Sequence, residues 1–409
     1  MVRTQTILFT GATGFLGSRL AARLAARGHR LVCLVRASDD RSAEATVRAA
    51  IGRHLLPECR SALLRSGRLG ACRADLSQPN LGLDGRGMTL LRDAPPSLVV
   101  NTAAELSMEP GSAMACRRVN VFGTERLARL ALSIGTESFH HVSTAYVHGR
   151  CGGKAREIIP SRPRHRNPYE RTKWQAERRL RQLARRMRVT IWRPTILVQD
   201  PWEPPDPRSS GLTSIMRIID LAARVARREG LDGTPVRIAI DPGIPVNLVP
   251  VTGMVIAMTW VIEHASLHGG VYQFAHPSPV GQQAVMEAIG RRHPDLSFVC
   301  ARKEEILRSR CRPSERLFLE WRGPLAAYQE SGGHFDCSRM FAALKGSGLA
   351  FPAVAAEWLD ALARQACDER KEPLFGAARQ WFARPPLRLT TQPNRGDLLS
   401  RLTTSRAPL

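Results

Sequence analysis

The sequence has few lysines, no closely paired cysteines and no long apolar run. The last two shortages argue against a zinc site and against a membrane-spanning protein. Only five of its 60 basic residues are lysines, so the formal net charge of +24 comes almost wholly from arginines spread along the chain. Its nine cysteines include no Cys-x-x-Cys pair, which argues against a zinc site and for reduced thiols in a cytoplasmic protein. The most apolar stretch, 249–262, is shorter than the roughly 20 residues that span a bilayer, so we expect no transmembrane segment.

The large positive charge favours contact with anionic partners. No nucleic-acid recognition module accompanies the charge, and a coding bias towards arginine would produce it equally well, so we expect no nucleic acid as partner. An acidic protein or a phosphate-bearing substrate suits such a surface better.

Strand and helix signals alternate from the first residues onward. Apolar strand patterns at 6–10, 31–35, 69–73, 97–101, 140–143 and 189–192 are separated by helical patterns at 18–27, 43–56, 117–133 and 169–186. This alternation predicts an α/β fold, a doubly wound parallel Rossmann-type sheet with helices on both faces. A smaller, mostly helical C-terminal region is expected to bind substrate.

A proline-rich segment at 201–207 is the expected hinge between these two parts. We predict a cofactor domain over 1–200, to which 236–275 returns, and a substrate-binding region over 201–235 and 276–385. The remaining segment, 386–409, is polar, basic and aperiodic, which predicts a disordered tail.

A glycine-rich turn, TGATGFLG, separates the first strand from the first helix. Glycine is needed where the turn is tight, where the backbone meets a pyrophosphate and where the helix packs on the strand, and the helix N-terminus attracts the phosphates. The turn therefore predicts a dinucleotide site. Its predicted cofactor-binding residues are Gly11, Thr13, Gly14, Phe15, Leu16 and Gly17.

The end of the second strand indicates which dinucleotide is bound. NAD enzymes place an acid there for the ribose 2′-hydroxyl, whereas an arginine accommodates the 2′-phosphate of NADP(H). This chain has Arg36, with Ser38 as a further donor and Arg41 or Arg48 as a second basic residue. We therefore predict NADP(H) as the cofactor.

Tyr169 and Lys173 lie one helical turn apart, on one face of a predicted helix. An ammonium group beside a phenol favours phenolate, so we expect Lys173 to lower the pKa of Tyr169. Ser143 and Thr144 end a strand upstream, where a hydroxyl can join Tyr169 on a substrate carbonyl, and the register to Tyr169 favours Thr144.

These motifs, taken in order, resemble the extended short-chain dehydrogenase/reductase superfamily over roughly residues 6–275. The resemblance rests on TGxxGxxG, Asp75-Leu76, NTAA at 101–104, VNVFGT at 119–124, STAYVHG, YxxxK and Arg193-Pro194. It implies a catalytic set of Thr144, Tyr169 and Lys173 supported by Asn120. It also implies that the cofactor contacts include Asp75, Leu76, Asn101, Ala103, Arg193 and Pro194, together with Tyr169 and Lys173.

Several further sequence segments resemble one branch of this superfamily, the thioester reductases and fatty acyl-CoA reductases, also called male-sterility-like. They are CLVRA, DLSQPNLGLD, STAYV, VNLVPV and FDCSRMFAALKGSGLAFP, whereas Asn247 and His148 depart from the branch pattern. The resemblance implies NADPH-dependent reduction of an acyl thioester to an aldehyde or onward to an alcohol. The implied partner is an acyl-CoA, or an acidic acyl or peptidyl carrier protein supplied in trans.

Two other functions fit the same motifs. A related enzyme of the superfamily would act on a ketone, a hydroxysteroid or a nucleotide sugar, and a non-catalytic protein would bind NADP(H) without turnover. His140, His141 and His148 flank the active-site strand, but no GxSxG elbow accompanies them, so we expect these histidines to be structural or solvated.

Overall fold

The computed structural model describes residues 4–151, 153–204, 206, 211–230, 233–329, 333–351 and 354–368. The predicted tail at 386–409 lies outside the described residues, as do 369–385 of the predicted substrate region and parts of the proline-rich segment. The described residues belong to one compact unit that ends at Asp368. The division into a cofactor domain and a substrate region therefore stays a prediction.

The six predicted strands are present, with shifts of a few residues at some ends, and the described residues contain further short strands beyond these six. The strands are β1 Thr6–Thr10, β2 Arg30–Val35, β3 Leu69–Arg73, β4 Leu98–Asn101, β5 Ser138–Val142, β6 Lys154–Ala155, β7 Arg188–Pro194, β8 Ile196–Val198, β9 Val236–Ile238, β10 Pro245–Val246, β11 Leu248–Pro250, β12 Val271–Phe274, β13 Val280–Gly281, β14 Phe298–Cys300 and β15 His334–Phe335. The six predicted strands correspond to β1 to β5 and β7.

Helices follow most of the long strands. They are α1 Phe15–Ala26, α2 Asp40–Gly52, α3 Pro57–Arg65, α4 Gly85–Asp93, α5 Ala113–Cys116, α6 Thr124–Ser133, α7 Pro168–Leu183, α8 Gly211–Glu229, α9 Val251–Glu263, α10 Gln282–Gly290, α11 Lys303–Arg308, α12 Pro313–Trp321, α13 Ala326–Gln329, α14 Ser338–Ala343 and α15 Ala356–Asp368. Within the described residues, none of these helices combines the length and the apolar character needed to cross a bilayer.

Seven strands form one parallel sheet in the order β12-β7-β5-β4-β1-β2-β3. The chain leaves β1 towards β2 and β3, then returns to the other side of β1 with β4. Such a reversal opens a crevice at the carboxyl ends of the strands, where ligands bind in sheets of this kind. The predicted doubly wound parallel fold is confirmed.

Apolar side chains cover both faces of the sheet. Leu20 of α1 and Met254 of α9 are fully buried in the cluster on one face, and Leu91 of α4 and Leu127 of α6 in the cluster on the other. Because both faces are packed, the strands carry near-continuous apolar runs, as a parallel sheet requires.

Two predicted helices differ from the observed ones. The helix expected over 43–56 ends at Gly52 and a second helix begins at Pro57, because proline has no N–H to donate and holds the preceding Leu56 in an extended conformation. The helix expected over 117–133 begins as a π-helix, Arg117–Gly123. Gly123 lies against the Leu76 backbone there, where a Cβ would meet the Leu76 oxygen at 2.7 Å.

Candidate active site

The crevice at the carboxyl ends of the strands is a cavity of about 1020 Å³. It runs from the glycine-rich turn, past the ends of β2, β4 and β5, to a wall formed by α8 and the segments that follow it. Most predicted site residues line this one cavity. They are Gly11, Thr13, Gly14, Phe15, Leu16, Gly17, Arg36, Asp75, Leu76, Ala103, Thr144, Tyr169, Lys173 and Pro194.

The glycine-rich turn fits a dinucleotide. Gly11 has a φ of +77°, which favours glycine, and a Cβ there would meet the Thr102 hydroxyl at 2.4 Å. A Cβ on Gly17 would lie 2.0 Å from the Gly11 carbonyl oxygen, so only glycine allows α1 to pack so closely on the turn. The turn leaves its backbone open to the cavity at the N-terminus of α1, where N–H groups and the helix dipole attract phosphate.

Arg36 follows β2 at the edge of the cavity and is exposed. Both acids that follow it are engaged elsewhere: Asp39 accepts the Ser42 N–H at 2.7 Å as the N-cap of α2, and Asp40 accepts the Arg73 N–H at 2.7 Å. Arg48, predicted as a second basic contact, pairs with Glu44 along α2 at 3.3 Å. Among the described residues, Arg36 is therefore the arginine at this strand end that lines the cavity without an ion-pair partner.

Tyr169, Lys173 and Thr144 meet at the inner part of the cavity. Asn167 caps α7 by accepting the Glu170 N–H at 2.9 Å, and this fixes the turn that carries Tyr169. The Tyr169 and Thr144 side chains share a hydrogen bond. Lys173 is 1% exposed, and its Nζ donates to the Val142 carbonyl at the end of β5 at 2.5 Å.

Burial dominates the protonation of this pair. It raises the pKa of the Tyr169 phenol, with Glu170 acting in the same direction and the Thr144 hydrogen bond opposing it. The expectation that Lys173 lowers the pKa of Tyr169 is therefore wrong for this structure. Burial also lowers the pKa of Lys173 to about 8, although the Glu177 carboxylate raises it in part.

Three predicted site residues lie behind the cavity wall instead of facing it. Asn101 is fully buried: its amide oxygen accepts the Thr10 hydroxyl at 2.7 Å, and its amide nitrogen donates to the Thr124 hydroxyl at 3.2 Å. Asn120 binds both backbone groups of Glu105, at 2.8 and 2.9 Å, and also the Thr172 hydroxyl at 3.1 Å.

The third of these residues, Arg193, pairs with buried Glu177 at 2.6 Å and donates to His148 at 3.1 Å. All three side chains thus hold cavity-lining segments in place and do not face the cavity. His140 and His141 are likewise fully buried within β5, and burial lowers the pKa of each.

An aromatic group beside Tyr169 was missed by the sequence reasoning. Tyr146 meets Tyr328 edge-on at 4.9 Å and Phe335 at 5.7 Å, and all three line the cavity. The Tyr328 hydroxyl accepts the Asn167 amide at 2.9 Å and bonds to Glu170, so α13 is tied to the start of α7. Tyr146 lies within the STAYV motif, so its place at the cavity could have been predicted. Tyr328 belongs to no recognised motif, so the sequence gives no such signal for it.

The far wall of the cavity is apolar. Leu212, Ile215 and Ile219 of α8 line it at helical spacing, and Val246 and Val285 also line the cavity. Its polar members include Asn247, whose amide is satisfied by Thr195 and by both backbone groups of His276. No charged side chain lines this wall among the described residues.

A family model for an NAD-binding domain, described as male sterility protein, matches residues 9–258, more than half of the chain. The chain belongs to this family. It is therefore an oxidoreductase of the extended short-chain dehydrogenase/reductase superfamily that uses a nicotinamide dinucleotide. The predicted superfamily and its male-sterility-like branch are confirmed.

Curated relatives are larger proteins. An isonitrile lipopeptide synthase of Mycobacterium tuberculosis is 36% identical over 149 residues, which cover 35% of this chain and 6% of that protein. A carboxylic acid reductase of the same organism is 31% identical over 222 residues, 48% of this chain and 18% of the relative. The chain thus spans less than a fifth of either relative.

The fold is shared with solved reductase domains. The terminal R domain from the myxalamid PKS-NRPS biosynthetic pathway superposes with a TM-score of 0.69 and 23% identity, covering 88% of this chain and 90% of that domain. At this identity the likeness shows the fold alone.

Proposed function

We propose that this chain is an NADPH-dependent reductase that converts an acyl thioester into an aldehyde and a free thiol. One observation carries the proposal: Tyr169, Thr144 and Lys173 lie at the inner part of a cavity that has the glycine-rich turn at one end and an apolar wall at the other. A second round of reduction at the same site would give the alcohol.

Tyr169 and Thr144 would hold the carbonyl oxygen of the thioester. When bound, the nicotinamide supplies the hydride that the carbonyl carbon needs. As negative charge develops on the oxygen, the two hydroxyl groups stabilise it, and a donor of this kind is worth roughly 3–4 kcal/mol. The raised pKa keeps Tyr169 protonated, so its proton is available for the oxygen. The resulting hemithioacetal releases thiol as its C–S bond breaks, and the carbonyl of the aldehyde forms.

Lys173 has a positioning role in this account. Its buried ammonium donates to the Val142 carbonyl near Thr144. We propose that it also binds the hydroxyl groups of the ribose next to the nicotinamide. Its positive charge also favours the negative charge that appears on the substrate oxygen.

Arg36 supports NADPH over NADH. Its guanidinium is exposed at the edge of the cavity, and the two acids next along the chain are occupied by the first turn of α2 and by Arg73. A guanidinium binds phosphate by charge-assisted hydrogen bonds, whereas Asp39 and Asp40 do not line the cavity, where an acid would have to reach a ribose 2′-hydroxyl.

The apolar wall and the surface charge support an acyl thioester as the substrate. A hydrocarbon acyl group would bury its surface against Leu212, Ile215 and Ile219 without leaving a charge unpaired. Outside the cavity, the net charge of +24 would attract the phosphates of an acyl-CoA or an acidic carrier protein supplied in trans.

A substrate panel with product identification by mass tests this function. Acyl-CoA and carrier-bound acyl groups should consume NADPH and release free thiol together with aldehyde or alcohol. Reduction of ketones or nucleotide sugars without thiol release would replace the proposal with a different reaction of the superfamily. NADPH binding without turnover of any of these compounds would indicate a non-catalytic protein.

A further inference from the structure

Ser143 has a buried hydroxyl without a hydrogen-bond partner. The residue follows β5 directly, its backbone N–H donates to the Trp192 carbonyl at 2.7 Å, and it is 2% exposed. Its Oγ has no partner among the described residues, yet Ser143 lines the cavity. A buried hydroxyl in this condition loses its hydrogen bonds to water without replacement, which folded proteins generally avoid.

Hydroxyls at neighbouring strand ends are all satisfied within the protein. Thr102, after β4, donates to the Thr10 carbonyl at 2.8 Å, and Thr195, after β7, donates to Asn247 at 2.7 Å. Thr144 accepts the Tyr146 N–H at 3.3 Å and bonds to Tyr169. Ser143 thus differs from these hydroxyls, because it lines the cavity without a hydrogen-bond partner among the described residues.

We propose that the Ser143 hydroxyl binds a carbonyl oxygen of the bound molecules, as a contact additional to Thr144 and Tyr169. Two oxygens of the bound molecules would be candidates for this contact: the carboxamide oxygen of the nicotinamide and the thioester carbonyl of the substrate. The first follows from the dinucleotide cofactor of the family, and the second rests on the proposed function. Both are hydrogen-bond acceptors of the same chemistry.

Ser138 provides a matched control on the same strand. It is also 2% exposed, but it lies at the opposite end of β5 and its Oγ bonds to His268 Nδ1 at 2.9 Å. Ser138→Ala removes a satisfied buried hydrogen bond and should lower the unfolding temperature without affecting ligands. Ser143→Ala removes an unsatisfied hydroxyl and should leave the unfolding temperature of the unliganded protein unchanged or raised.

The test compares both variants with the wild type by thermal unfolding, by fluorescence titration with NADPH and NADP⁺, and by thioester kinetics. One hydrogen bond corresponds to about a 3- to 10-fold effect. A weaker dissociation constant for the nucleotide in Ser143→Ala assigns the contact to the carboxamide. An unchanged dissociation constant with a lower kcat/KM assigns it to the thioester.

Ser143→Ala overturns the proposal if it leaves both quantities unchanged, or if it lowers the unfolding temperature as Ser138→Ala does. Should the wild type reduce no thioester, the proposed function fails, and the titration alone then decides whether Ser143 contacts the nucleotide. An unchanged titration in that case also overturns the proposal.

Discussion

At the scale of single residues, burial sets the protonation of Tyr169 and Lys173, the proposed catalytic pair, more strongly than the charges beside them. The sequence places Tyr169 and Lys173 on one helix face, and the attraction between phenolate and ammonium then predicts a lowered pKa for Tyr169. The folded protein removes much of the water around both groups, which raises the pKa of Tyr169 and lowers that of Lys173 to about 8. Burial depends on distant parts of the chain and is not read from a local motif.

The Lys173 pKa predicts a pH dependence of the reaction. As pH rises through about 8, Lys173 loses the proton that its role requires, so kcat/KM for reduction should fall with an apparent pKa near 8. Steady-state NADPH oxidation across neutral and alkaline pH measures the profile. A rate that stays level well above this pH would contradict the assignment.

Stability measurements at the same pH values separate this effect from unfolding. Because the folded pKa of Lys173 lies below its ordinary value of 10.5, the unfolded chain binds more protons between about 8 and 10.5. The contribution of this group to stability therefore rises with pH across that window. A loss of activity there would not come from destabilisation by Lys173.

Arg36 should determine the choice between the two nucleotides. Arg36→Ala removes the guanidinium that we assign to the 2′-phosphate, and a charge-assisted hydrogen bond of this kind is worth about 1.5–3 kcal/mol, or roughly 10- to 150-fold in affinity. We expect the dissociation constant of NADPH to rise by this factor while that of NADH stays within a few-fold. Fluorescence titration with both nucleotides measures the change.

Arg41→Ala is the control, because Arg41 is an exposed arginine of the same segment that does not line the cavity. Equal loss of NADPH affinity in both variants would contradict the assignment of the 2′-phosphate to Arg36 alone, because either general surface charge or a second contact by Arg41 would then account for it.

Three predicted site residues that do not line the cavity show what a motif leaves open at this scale. Asn101, Asn120 and Arg193 stand at the motif positions but point into the protein, where they bind Thr10, Glu105 and Glu177. Position along the chain indicates that a residue is near the strand ends, but the direction of its side chain depends on partners that lie far away in sequence.

At the scale of elements, the glycine-rich turn is the feature that the sequence predicts most directly. The close approach of Gly17 to the Gly11 carbonyl lies within the motif and is open to a local pattern, whereas the contact of Gly11 with Thr102 comes from the segment after β4. The strands β1 and β3 match their predicted bounds for a similar reason, because their apolar runs end sharply at polar or glycine residues. The π-helical start of 117–133 was not predictable, because it accompanies contact with a segment around Leu76.

Gly17 and Gly14 should respond differently to the same substitution. Gly17→Ala places a Cβ 2.0 Å from the Gly11 carbonyl, so α1 must move away from the turn, and we expect NADPH binding to be lost together with some stability. Gly14→Ala brings its Cβ only to 3.3 Å of the same oxygen, and we expect a smaller loss of affinity. Thermal unfolding and nucleotide titration measure both; equal effects would contradict the packing role of Gly17.

At the scale of the whole molecule, the site combines parts that no single motif connects. Tyr328 and Phe335 lie beyond the family match at 9–258, yet they contact Tyr146 beside the proposed catalytic residues. The superfamily motifs therefore predict the sheet and the nucleotide end of the cavity. The other end of the cavity is lined by residues of α8 and α13, and the long-range placement of these helices has no local pattern in the sequence.

The central claim is that Tyr169 donates the proton during NADPH-dependent reduction of a thioester. The most direct measurement is the turnover number of Tyr169→Phe, taken beside its dissociation constant for NADPH. The account predicts a fall of about 10²- to 10⁴-fold in kcat, the range for loss of a general acid, with nucleotide affinity and unfolding temperature close to those of the wild type. Thioester reduction at the wild-type rate by a folded, NADPH-binding Tyr169→Phe protein would contradict it.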